Sequence, residues 1–223
     1  MTPTTRPPVA LLDYGVGNLH SAAKALDRAG ADVRVVPTVA EAAGAAGLVV
    51  PGVGAYGACL TGLGSAGGPA AVAGWLEGGR PLLGICVGMQ LLFEASEEGP
   101  VGDGVGVLPG KIRRLDGGVR GTPRGVPGGP GPVKIPHIGW DEVTVRPGSR
   151  LLAGLGDGTR FYFVHSYAPE ADGDAVAAAC DYGGRFAAAV EHGHLFGTQF
   201  HPEKSGRAGL ALLANFVAVV GSA

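Results

Sequence analysis

Cysteine is scarce in this 223-residue chain. Cys59, Cys86 and Cys180 are too few and too scattered for a disulfide framework or a four-cysteine zinc cluster. An excess of one charge is missing too. Seventeen basic against 19 acidic side chains leave a net charge of −2, with no broad positive field to attract a phosphate backbone, so no nucleic acid partner is expected. Nor is there a run fit for a bilayer. Residues 42–76 carry no charge, but ten glycines and two prolines interrupt them, which a lipid-exposed helix does not tolerate. At the amino end Val9-Ala10-Leu11-Leu12 stops at Asp13, short of the apolar stretch of a secretory signal. A soluble, cytoplasmic protein with no membrane contact is expected.

Glycine and proline are plentiful, at 42 and 17 residues. That approaches the level of unstructured low-complexity chains, yet Leu, Ile, Val and Phe stay above the roughly 20% floor for such chains, so this one folds. Its length suits one α/β domain, residues 1–223. Val9 to Asp13 reads as a short buried strand. Tyr14-Gly15-Val16-Gly17 reads as a turn into a helix from Asn18, its expected cap, to Ala29, with Gly30 as its stop. Strands follow at 33–36 and 48–50, a helix at 69–77 and a strand at 81–85, while Met89 to Phe93 reads as the first turns of another helix. The second half changes character. Residues 160–167, 175–180, 185–191 and 195–200 are β-rich runs at hairpin spacing, and Ser205 is expected to cap a last helix to Val219. The predicted fold is α/β: a mixed, mostly parallel open sheet flanked by helices, with antiparallel additions. Asp116 to Pro132, with seven glycines and four prolines, is expected to be a mobile surface loop.

Chemistry concentrates in Leu82-Leu83-Gly84-Ile85-Cys86-Val87-Gly88-Met89-Gln90. An apolar run ends in Gly-x-Cys-x-Gly and passes into a helical pattern, the layout of a nucleophile elbow with sulfur in place of oxygen. Flanking glycines permit the sharp turn, and free N–H groups at a helix start stabilise negative charge on a nucleophile. A cysteine buried merely as a small hydrophobe would not need glycine at both i−2 and i+2. Cys59 and Cys180 lack this setting and are expected to be structural.

A cysteine nucleophile usually needs a base, and the base an orienting group. Of six histidines, His201 follows the apolar run 195–200 and falls at a strand's carboxyl end, where parallel α/β folds gather catalytic groups. Pro202 stiffens the turn and Glu203 can return to the imidazole. His-x-Glu alone is a weak signal; its weight comes from the Gly-x-Cys-x-Gly elsewhere. Pro51-Gly52-Val53-Gly54-Ala55-Tyr56-Gly57 also follows a strand and matches the dinucleotide fingerprint letter by letter. The fingerprint's acid about 20 residues on is missing, since the next acid, Glu77, sits in a helix. The better use of this backbone is to turn an N–H of Val53 or Gly54 toward a developing oxyanion, jointly with the N–H of Val87. Glu191-His192-x-His194 lacks further ligands and reads as a hairpin turn, so no metal is expected. His165 is left open between core and site.

Together these residues resemble the class-I, triad-type glutamine amidotransferases, and among them the glutaminase subunits of imidazole glycerol phosphate synthases. The resemblance runs nearly end to end, through Asp13 to Leu19, Pro51 to Gly54, Gly84 to Phe93, Pro136-His137-Ile138-Gly139-Trp140, Tyr162 to Tyr167 and Phe200 to Ser205. Gly-x-Cys-x-Gly with His-x-Glu belongs to the whole class; Met89-Gln90 and Ile138-Gly139-Trp140 point to the narrower group. The resemblance implies Cys86 as nucleophile, His201 as base and then acid, and Glu203 as its orienter. L-Glutamine would be hydrolysed to glutamate and ammonia through a γ-glutamyl thioester, without a cofactor. Gln90, Glu94, Gly52 and the backbone around Gly54, Ser166 and Tyr167 would hold the substrate. A partner is implied too, a (β/α)8-barrel cyclase that uses the ammonia to form imidazole glycerol phosphate and an aminoimidazole carboxamide ribotide. It would be met at Asn18, Trp140, Tyr162 and Lys204. Reorientation of the 51–54 backbone would complete the oxyanion hole only in the loaded heterodimer.

Related glutaminases serving pyridoxal phosphate, anthranilate or aminodeoxychorismate synthesis share the triad and differ in the acceptor. A dinucleotide binder would instead show nicotinamide-cofactor affinity insensitive to Cys86→Ala. An inactive homologue does not suit an intact Cys86, His201 and Glu203. Typical relatives connect residues 111–112 to 136–137 by a shorter path than this chain does. As a tolerated surface insertion, residues 116–132 should be removable with partner-stimulated glutamate release intact; a large loss of that turnover would place them in the partner contact.

Overall fold

The computed structural model describes residues 6–99, 103–116 and 133–223. Along the chain come β1 (Pro8–Leu12), α1 (Leu19–Arg28), β2 (Asp32–Val36), β3 (Gly47–Val50), α2 (Tyr56–Ser65), α3 (Gly68–Glu77), β4 (Leu82–Ile85) and α4 (Val87–Gln90). They are followed by β5 (Phe93–Ser96), β6 (Leu108–Arg114), β7 (His137–Val145), β8 (Thr159–His165), β9 (Tyr167–Pro169), β10 (Val176–Asp181), β11 (Arg185–His192), β12 (Leu195–Thr198) and α5 (Gly206–Gly221). Nine strands form one sheet in the order β2-β1-β3-β4-β12-β11-β10-β7-β8. Neighbours run parallel from β2 to β12 and antiparallel from β12 to β8, the mixed sheet expected from strand-helix alternation giving way to hairpins. A smaller sheet joins β5, β6 and β9.

The central strands are apolar because both faces are covered. Every residue of β3, β4 and β12 is buried, and α5 lays Leu212, Leu213, Phe216 and Val220 against the sheet, with the Phe216 ring edge-on to Phe196. Among the described residues, no helix is long and apolar enough to cross a membrane.

Several local expectations are corrected. The helix expected from Met89 to Phe93 lasts a single turn, and Phe93 already pairs with Leu108 of β6. Met89, Leu91, Leu92 and Phe93 are all buried, an unbroken apolar run whose periodicity separates neither helix nor strand. Helix α2 went unread because Gly57, Gly62 and Gly64 depress its helix propensity. The run 160–167 breaks at Ser166, so that β8 belongs to the large sheet and β9 to the small one. Asn18 and Ser205 stand at helix starts, yet neither side chain caps its helix. The Ser205 hydroxyl accepts from the Tyr162 N–H at 2.9 Å and donates to the His201 carbonyl at 2.7 Å, tying the loop after β12 to β8. His192 ends β11, paired with Leu195, and His194 lies in the hairpin turn after Gly193 at φ 57°. The Gly/Pro-rich loop expected over 116–132 lies, Asp116 apart, outside the described residues.

Candidate active site

Strands β3, β4 and β12 are parallel neighbours in register, Val50 beside Gly84 and Gly84 beside Gly197. The loops leaving their carboxyl ends carry Pro51 to Gly54, Cys86 and His201, so one edge of the sheet gathers segments far apart in sequence. Cys86 has φ 54° and ψ −114°, and it alone among the described non-glycine residues has a positive φ. Its N–H donates to the Thr198 carbonyl at 2.7 Å, and its own carbonyl accepts from Met89 and Gln90 at 3.0 and 3.1 Å. The bend closes only with glycine beside it. A Cβ on Gly88 would strike the Val50 carbonyl oxygen, and one on Gly84 would come within 2.7 Å of Met89 Cα. The elbow is therefore present, but the helix after it is one turn long, so the dipole of a longer helix is not available to the sulfur.

His201 Nδ1 lies 2.8 Å from Glu203 Oε1, the two side chains exposed by 2% and 3%. Its backbone N–H donates to the Tyr162 carbonyl at 2.9 Å. Nε2 is buried without a well-aligned partner and is the ring atom left for Cys86. Burial by itself would push the imidazole down; its interactions with Cys86 and then with Glu203 outweigh that and hold it up at about 9. The ring therefore keeps its proton at neutral pH.

Cys86, Val87, Gln90 and His201 share one cavity of about 610 Å³ with Val53 and Gly54. Gln90 Nε2 donates to the Tyr167 carbonyl at 2.9 Å and to Gln199 Oε1 at 3.0 Å, while its Oε1 is buried without a partner. Ser166 and Tyr167 also line the wall. His165 serves both as core and as wall: it lines the cavity, its Nδ1 is 2.9 Å from the Tyr167 carbonyl and its Nε2 3.1 Å from His137 Nδ1. Burial, helped by His137, pushes it down to about 3, so it is neutral.

Two expected substrate contacts stand elsewhere. Glu94 is exposed on β5 and accepts the Gly110 N–H at 2.9 Å, away from the cavity wall. Gly52 lies behind the wall, where a Cβ would come within 2.8 Å of the Val87 carbonyl carbon. Two residues missed in the sequence stand in the site. Glu98 lines the cavity and accepts the Tyr56 N–H at 3.1 Å; it lies in Ser96-Glu97-Glu98-Gly99, an acidic stretch with no motif of its own. Gln199 Nε2 reaches Cys86 Sγ at 3.7 Å, from a position that reads only as the end of an apolar strand. Asn18 and Lys204 also line the cavity. Lys204 Nζ is 5.8 Å from the centre of the Tyr162 ring, which meets Trp140 edge-on at 6.2 Å, and Trp140 is 50% exposed.

Residues 10–220 match the family model described as glutamine amidotransferase class-I. The chain is 50% identical over 222 residues to a Nocardia farcinica protein described as imidazole glycerol phosphate synthase subunit HisH, a match covering 96% of this chain and 98% of that one. A Moorella thermoacetica protein of the same description is 45% identical over 212 residues, covering 94% and 93%. Among solved structures, one described as glutamine amidotransferase superposes with a TM-score of 0.69 at 21% identity, covering 96% and 99% of the two chains. PurLQS from Thermotoga maritima reaches 0.73 at 18%, with the same coverage. At such identities the likeness shows the fold.

Because the folded value of about 9 exceeds the ordinary 6.5, protonation of His201 adds stability that is fully present below pH 6.5 and is lost as pH rises through 9. Replacing Glu203 with Gln removes a charge that supports the imidazolium, so the His201 midpoint followed by NMR is expected to move down from about 9. An unmoved midpoint would refute this electrostatic assignment.

Proposed function

Because the chain belongs to the class-I glutamine amidotransferases, we propose that it is the glutaminase subunit of an imidazole glycerol phosphate synthase, hydrolysing L-glutamine and passing the ammonia to a cyclase. One observation carries the chemistry: a sulfur held on a bend of positive φ, in the same cavity as a buried His–Glu pair. The curated relatives favour this acceptor over those of pyridoxal phosphate, anthranilate or aminodeoxychorismate synthesis, since the proteins 45% and 50% identical are described as subunits of this synthase.

In the proposed reaction the Cys86 thiol proton rests on His201, and Sγ attacks the carboxamide carbon while negative charge gathers on the carboxamide oxygen. The Val87 N–H and an N–H of the 53–54 segment receive it, each donor contributing about 3–4 kcal/mol. The His201 imidazolium gives its proton to the departing ammonia. The neutral ring then takes a proton from the water that attacks the thioester, and glutamate leaves. Glu203, by holding Nδ1–H, keeps Nε2 directed at the reacting atoms. For the amino-acid end of the substrate, the Glu98 carboxylate suits the ammonium and the Ser166–Tyr167 backbone the carboxylate. The unpartnered Gln90 Oε1 offers an acceptor. No step calls for a cofactor.

Ammonia released into cytoplasm is mostly protonated and then useless as a nucleophile, so it is handed over directly. The aromatic and basic face of Trp140, Tyr162 and Lys204, with Asn18 beside it at the cavity, is the docking surface assigned to a (β/α)8-barrel cyclase. Cys86→Ala is expected to lower glutamine-dependent synthesis by at least about 10⁴-fold, and His201→Ala to abolish it as well, while the cyclase still works with added ammonium salt. Loss of both activities would mean that these side chains hold the fold or the interface instead.

A further inference from the structure

We propose that Tyr14 and Cys59 are positioning residues that clasp the 51–54 backbone by holding the carbonyls of Pro51 and Val53. The proposal rests on the glutaminase reading above and deepens it. The Tyr14 hydroxyl, in the loop after β1, donates to the Pro51 carbonyl. The Cys59 thiol, on the first turn of α2, donates to the Val53 carbonyl at 3.4 Å.

A peptide group is planar, so fixing a carbonyl fixes the N–H across the same bond. The Tyr14 contact therefore sets the Gly52 N–H, and the Cys59 contact sets the Gly54 N–H. Between these two pinned planes, neither the Gly52 carbonyl nor the Val53 N–H has a hydrogen-bond partner among the described residues. The Gly54 N–H is thus held by the Cys59 contact, beside the cavity that Val53 and Gly54 line.

The clasp is itself held rigidly. Tyr14 and Cys59 are buried, with 7% and 0% exposure. Helix α2 approaches Tyr14 so closely that a Cβ on Gly62 would lie 2.9 Å from Tyr14 Cδ2, and Cys59 stands three residues earlier on the same helix face. Both groups also remain donors: burial pushes the Cys59 thiol up to about 11 and raises the Tyr14 hydroxyl as well.

The test is glutamine hydrolysis by the complex with its cyclase, with kcat and KM measured separately. Tyr14→Phe removes one hydroxyl and Cys59→Ala one thiol; each should lower kcat about 10- to 100-fold with KM within about twofold, because the freed 51–54 backbone presents its N–H to the oxyanion less often. Cys59→Ser keeps a donor and should stay within about threefold of the wild-type kcat. An unchanged kcat in Tyr14→Phe and Cys59→Ala, a loss carried by KM, or equal losses in Cys59→Ser and Cys59→Ala would overturn the clasp. Continued hydrolysis by a Cys86→Ala complex would instead overturn the glutaminase reading beneath it.

Discussion

The backbone bend at Cys86 is the constraint on which the rest of the site depends. A non-glycine residue at φ 54° and ψ −114° is strained by about 1–3 kcal/mol and persists only where its surroundings over-determine it. Here they do. Thr198 on β12 accepts the Cys86 N–H, the turn of α4 closes on the Cys86 carbonyl, and the Val50 backbone of β3 packs where Gly88 has no side chain. The same three neighbours fix where the other groups arrive. With β3, β4 and β12 parallel and in register, the 51–54 backbone and His201 are delivered to either side of the bent residue.

Electrostatics completes what the bend begins. His201 and Glu203 are almost fully buried, a costly place for charge unless the charges meet one another. Cys86 and then Glu203 keep the ring protonated, and Glu203 occupies its Nδ1, so the Nε2 left over is committed to the sulfur side. Next to this pair stand polar side chains that carry no charge. Gln90 and Gln199 bond each other, Gln199 reaches Cys86 Sγ, and His165 is held uncharged between His137 and the Tyr167 carbonyl. Farther along the lining, Glu98 and Lys204 add one charge of each sign.

Much of this was legible in the sequence because the signals were local. Apolar runs of four or five residues, each closed by glycine or a polar turn, marked the central strands. Glycines two residues either side of Cys86 marked a bend that no larger residue fits. What escaped detection depended on tertiary pairing. Helix α2 is concealed by its glycines, of which Gly62 makes room for Tyr14, and β5 takes over an apolar run that would otherwise continue the helix. Glu94 and Glu98 are four residues apart in an acidic stretch, and only the pairing of β5 with β6 turns one to Gly110 and leaves the other at the cavity. Gln199 and the Tyr14 hydroxyl likewise meet partners 113 and 37 residues away.

The central claim, that a single bent cysteine performs the attack, is tested most directly by asking which thiol a substrate mimic finds. A glutamine analogue carrying a diazoketone in place of the carboxamide alkylates the nucleophile that would attack the substrate carbon. Peptide mass analysis of the labelled complex is expected to show a stoichiometric adduct on Cys86, with Cys59 and Cys180 unmodified. A label on either of those two, or a Cys86 left free at saturating analogue, would contradict it.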